Sequence, residues 1–115
     1  MTESLFETTF RVAEIVDAED FPETNKPQMA KLWVDLGDAD ADDGATGTVQ
    51  SAAQTGYNYD LDELVGRQVL CATDLGTVRI AGFVSEVLVV GVPDADGHPV
   101  LVDPDDEVPV GGRLY

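Results

Sequence analysis

A chain of 115 residues with 43% hydrophobic and 7% aromatic residues is long enough for one domain with a modest core, and too apolar to be a disordered segment. Its formal net charge of −17, from 23 Asp plus Glu against 6 Lys plus Arg, is spread along the chain, which fits a solvated acidic surface and not an interaction tail. Such charge repels itself at low salt, but in molar salt the Debye length shrinks to roughly 3 Å. The composition therefore favours the salt-filled cytoplasm of an extreme halophile over an ordinary acidic protein. One cysteine, Cys71, excludes an internal disulfide and reads as a small buried hydrophobe in "QVLCAT". The N-terminal "MTESLFETTF" lacks the pattern of a signal peptide, and no run reaches the ~18 apolar residues of a membrane span. A soluble cytoplasmic protein with no membrane insertion is expected.

In chain order, residues 10–17, "FRVAEIVD", predict a first strand. Residues 31–38, "KLWVDLGD", alternate Leu32, Val34 and Leu36 against Lys31, Trp33 and Asp35, as a half-buried strand does. The acidic, glycine-containing stretch 38–47 predicts a turn, and 48–55 a returning third strand. A calcium loop starting at Asp38 fails, because Asp43 stands where glycine is required and Val49 where glutamate is required. Residues 60–66, "DLDELVG", carry a helix signal: Asp60 as N-cap, Glu63 three residues on, and Gly66 at the end. Residues 67–73 predict a fourth strand and 83–92, "FVSEVLVVGV", a fifth. Asp94–Gly97 predict a tight turn, with 98–103 pairing back across it. The apolar tail "EVPVGGRLY", with its prolines, suits a sheet edge or a partner surface.

Short strands with one short helix between the third and fourth predict an all-β, single-domain OB barrel of five strands; spacing alone leaves a sandwich open. His98, the only histidine, follows Gly97 and reads as a turn residue without a second ligand. No Ser-His-Asp or Cys-His set and no phosphate-binding glycine loop can be assembled. No catalytic residue, metal or cofactor is expected. Of the six basic residues, Arg11 and Arg67 are expected to pair with nearby carboxylates; Lys26, Lys31 and Arg79 remain for a shared face.

Four stretches, "EDFPETNKPQMAKLWVDLG" (19–37), "SAAQT" (51–55), "LVGRQVLCAT" (64–73) and "RIAGFVSEVLVVGV" (79–92), together resemble the CsaA family of tRNA-binding OB domains. The resemblance implies a five-stranded OB barrel that binds tRNA, a chaperone role toward unfolded preproteins or peptides in protein export, and a homodimer completed by the chain termini. It places Asn25, Lys26, Lys31, Ser51, Gln54, Arg79, Ser85 and Glu86 on the RNA-binding face, and Val108, Val110, Leu114 and Tyr115, with Leu5 and Phe6, at the dimer interface. Ser85 would donate to a phosphate or sugar; Glu86 would accept from a base edge or 2′-hydroxyl, or hold a basic side chain. The competing reading has Glu86 pair with Arg79 or Lys31 merely to close the barrel. The chain departs from the family at "TGTVQ" and at Val84, where a basic residue is usual, and at "TDLGTV", where an aromatic-Pro-Pro stretch is usual. Each departure removes positive charge or rigidity from the RNA face, leaving Trp33 or Tyr57 as stacking platforms.

Overall fold

In the computed structural model, which describes residues 7–37 and 46–115, nearly all regular structure is strand. The acidic turn at 38–45 and the Leu5–Phe6 pair lie outside the described residues. β1 (Phe10–Asp20), β2 (Ala30–Asp35), β3 (Thr48–Ala53), β4 (Gln68–Ala72) and β7 (Leu88–Val89) form one antiparallel sheet in the order β3-β2-β1-β4-β7. β1 is long enough to serve two neighbours: Phe10–Glu14 pair with β4, and Glu14–Asp20 with β2. Within the β1–β2 pairing, a bulge between Ile15 and Asp17 leaves Val16 without a cross-strand partner and 41% exposed. A bulge raises local twist, which lets a strand curl around a barrel. The period-2 pattern sends Ala13, Ile15, Leu32, Val34, Val69 and Cys71 inward.

The predicted helix is α1 (Leu61–Leu64), whose Leu64 is fully buried in the same core. The Glu63 carboxylate accepts the Asp60 N–H at 2.9 Å, one half of the expected capping box, and Gly66 turns the chain away at φ +91. One four-residue helix cannot stand alone and is held by this packing.

Residues 83–92 are not the single fifth strand that the apolar run predicts. They divide into β6 (Phe83–Ser85), β7 and β8 (Gly91–Pro93). The reason lies in Ser85 and Glu86, whose side chains bond to β3 and interrupt the ladder. β5 (Val78–Ile80), unpredicted, forms a hairpin with β6 across Ala81 and Gly82, both at positive φ. β9 (Pro99–Leu101) pairs with β8 across the expected Asp94–Gly97 turn.

The tail lies along the edge of β1. Gly111 N–H donates to the Val12 carbonyl, Val12 N–H to Gly112, and Leu114 N–H to Phe10. Arg11 is only 1% exposed, and its guanidinium donates to the carbonyls of Gly111 (3.1 Å) and Leu36 (3.2 Å). Arg67 pairs with Asp103 at 3.9 Å, as expected, and lies 4.9 Å over the Tyr59 ring.

Cys71 is fully buried, and that burial pushes its thiol from 9.0 up to about 12, against an opposing pull from Arg11. Thiol reagents will therefore label it only after unfolding, at the rate of the opening reaction. Between pH 9 and 12 the folded state keeps a proton that the unfolded thiol loses. Stability should fall there by up to about 1 kcal/mol per pH unit, and Cys71→Ala should remove that component of a pH-resolved denaturation series.

Candidate nucleic-acid interface

In OB barrels the outer wall of the second and third strands, flanked by the first-to-second and fourth-to-fifth strand loops, is the usual binding face. Here that wall is β2–β3, with residues 21–29 on one side and residues 73–87, including the β5–β6 hairpin, on the other. Strand alternation sends Leu32, Val34, Val49 and Ser51 inward. Lys31 and Trp33 of β2, facing Ala52 and Gln50 of β3, are left outside.

The wall carries a small apolar cluster of its own: Phe21, Met29 and Ala52, with Ile80 and Phe83 packed on it. Phe83 meets Phe21 and Trp33 edge-on, with ring centroids 5.5 and 5.7 Å apart. The Lys31 ammonium sits 4.9 Å from the Phe21 ring and 5.5 Å from Phe83. A cation over two aromatic rings is attracted by their electron-rich faces and loses mobility. Register places Glu19 opposite Lys31 and Asp17 opposite Trp33, so the cations stand among acids.

Asn25 and Lys26 are exposed in the 21–29 loop. Gln54 ties that loop to the end of β3, its Nε2 donating to the Pro27 carbonyl at 3.0 Å. Arg79 is exposed on β5, on the hairpin side opposite Ile80 and Phe83 by alternation. Ser51 does not reach the wall: it is fully buried, and its Oγ accepts the Val89 N–H at 3.3 Å.

Ser85 and Glu86 form the seam that brings β3 toward β7. Glu86 Oε2 accepts the Gln50 N–H at 2.9 Å, while Glu86 N–H donates to the Gln50 carbonyl at 2.8 Å. Ser85 Oγ accepts the Ala52 N–H and donates to the Val87 carbonyl, both at 3.2 Å. These bonds satisfy the β3 edge, which the sheet otherwise leaves open. Glu86 thus has a barrel-closing partner, and it is the backbone of Gln50, a residue the sequence reading passed over.

Two other sequence features lie away from this wall. Tyr57 stacks on His98 with centroids 3.8 Å apart and planes 5° from parallel. Oxygens of Asp94 and Asp96 and a ring nitrogen of His98 fall within 4.8 Å of one another. The Asp94 carboxylate is already used: it accepts from the Asn58 amide and from the N–H groups of Asp96 and His98, which lower its pKa, the Asn58 bond most. An apolar groove of about 650 Å³ runs beside the wall past Met29, Val78, Leu88 and Val92, with Lys26 at its rim. A second recess of about 700 Å³, lined by Val12, Leu70, Val108, Val110 and Leu114, lies between the barrel and the tail.

A near-closed five-stranded antiparallel barrel with a cationic and aromatic β2–β3 wall defines a binding domain of the OB type. The chain belongs to the family described as a putative tRNA binding domain, which matches residues 10–113, and within it the chain is CsaA-like. It superposes on chaperone CsaA from Bacillus anthracis with a TM-score of 0.76 at 34% identity, covering 94% of this chain and 90% of that one. For the CsaA chaperone protein of Picrophilus torridus the TM-score is 0.80 at 33% identity, with 95% and 92% covered. Methionine–tRNA ligase of Methanocaldococcus jannaschii is 32% identical over 104 residues, which are 90% of this chain and 14% of the ligase. The chain thus spans about one seventh of such a ligase.

Proposed function

We propose that this chain is a non-enzymatic tRNA-binding module of the cytoplasm, adapted to high salt, that docks tRNA on the β2–β3 wall. The observation that carries the reading is Lys31 held between Phe21 and Phe83 beside Trp33, on the wall where an OB barrel binds. Lys26, Lys31 and Arg79 contact phosphates, Asn25 and Gln54 add polar contacts, and Trp33 stacks on an unpaired base. Ser85 contributes at the rim, and Glu86 offers its second oxygen to a base edge or 2′-hydroxyl. Ser51, buried, is left out of this face.

Three cations give few counterions to release, so log K should fall with log[salt] at a slope of only about −2. A tRNA titration followed by Trp33 fluorescence from 0.5 to 3 M KCl, ~sixfold in salt, checks this. A steep slope, or no binding by folded protein at any salt, contradicts the reading.

A homodimer through Val108, Val110, Leu114 and Tyr115 accompanies it. Val108 and Tyr115 are 37% and 73% exposed on the tail, beside the apolar recess. Sedimentation in molar KCl should give twice the chain mass; a monomer removes this part. The apolar groove and the CsaA chaperones among the structural relatives favour a second reading, capture of unfolded preproteins or peptides. Failure to suppress client aggregation at molar salt would count against it.

A further inference from the structure

Gln50 makes more contacts than a wall residue needs. Its backbone N–H and carbonyl hold the Glu86 seam. Its side-chain amide has both polar atoms engaged as well. Oε1 accepts the Trp33 indole N–H at 3.3 Å, and Nε2 donates to the Val84 carbonyl of the β5–β6 hairpin at 2.8 Å. One amide thus ties the chain's single tryptophan to the hairpin that carries Phe83, and Phe83 in turn packs on Trp33.

We infer that Gln50 is a positioning residue of the tRNA wall, acting through Trp33. By fixing the indole it presents a stacking surface in one orientation, and by holding Val84 it keeps Phe83 packed on the indole at right angles to it. A base then stacks without first ordering either group. Preorganisation of this kind raises affinity by lowering the entropy lost on binding. This rests on the tRNA reading above, but it concerns a residue that need not touch RNA.

The test is a double-mutant cycle read by labelled-tRNA anisotropy in 2 M KCl, roughly the salt at which surface charge is fully screened. Wild type, Gln50→Met, Trp33→Phe and the double variant are compared, each first shown to melt cooperatively. Gln50→Met keeps the backbone seam and removes both side-chain bonds; Gln50→Asn, too short to reach either partner, replaces it if it does not fold. Gln50→Met is expected to weaken tRNA binding about tenfold, the effect of losing one well-formed stack. It should also lower the near-UV dichroism of Trp33. In the Trp33→Phe background the same change should have almost no further effect.

Wild-type affinity in Gln50→Met, or two effects that add in full, overturns the inference while leaving tRNA binding in place. A folded wild type that does not bind tRNA overturns both. Lost affinity with unchanged Trp33 dichroism also overturns it, since Gln50 would then be acting on RNA directly.

Discussion

Arg11→Met should destabilise the protein by about 3–5 kcal/mol in denaturant titration, the largest loss expected here from a single substitution. The guanidinium is almost wholly buried and bridges two parts of the chain, the carbonyl of Leu36 at the end of the β2 segment and that of Gly111 in the tail. Methionine fills much of the same volume but leaves both carbonyls without that donor, at about 1–3 kcal/mol each. Arg11→Lys should recover little, because one ammonium on a flexible stem does not reproduce a planar fork spanning two acceptors. Gly111→Ala should act at the same joint. Its φ of +92 disfavours a side chain, and a Cβ would stand 2.7 Å from the Leu36 carbonyl oxygen. Amide exchange at Val12 and Leu114, whose N–H groups hold the tail, should rise in both variants. A loss under 1 kcal/mol for Arg11→Met would show that the tail is not latched through this residue.

The second large effect is at the seam. Glu86→Ala removes the acceptor of the Gln50 N–H, a bond to a charged group, and should cost about 2–3 kcal/mol. Ser85→Ala strips the Ala52 N–H of its acceptor and should cost about 1–2 kcal/mol. Because both bonds hold one strand edge, the double variant should lose less than the sum if opening at either point already frees the edge. Glu86→Gln keeps an acceptor oxygen and should cost about 1 kcal/mol or less. Hydrogen exchange localises the effect: the amides of Gln50 and Ala52 should lose protection before those of β1 and β4. If Glu86→Ala and Glu86→Gln are equally destabilised, the carboxylate is not acting as an edge acceptor.

The strand at 31–38 was legible because it alternates against a single buried face, those at 10–17, 48–55 and 67–73 as short strand-like runs, and α1 because its cap residues are local. The same alternation, carried one step further, separates Ser51 from Gln50: Val49 points inward, so Ser51 must too. The resemblance put Ser51 on the RNA face, and strand parity corrects it. Residues 83–92 misled because their apolar run looks continuous, while two polar side chains hydrogen-bond across to β3 and split it. Nothing local announces such a bond. The Phe21–Phe83–Trp33 cluster was invisible for a related reason: its three rings come from a loop, a hairpin and a strand that only the closed barrel brings together. Arg11 read as a cation paired with a nearby carboxylate, and its bond to the Gly111 carbonyl was out of sight because that residue lies at the far end of the chain.

The tRNA wall is tested most directly by titrating tRNA into wild type and a Lys26→Glu/Lys31→Glu/Arg79→Glu variant in 2 M KCl, about where long-range repulsion is screened and only contact-range interactions remain. Both proteins are first shown to be folded. Wild-type binding that falls at least tenfold in the variant is the predicted result, since three phosphate contacts become three repulsions. Equal binding by the two proteins would move tRNA off the β2–β3 wall and contradict the account.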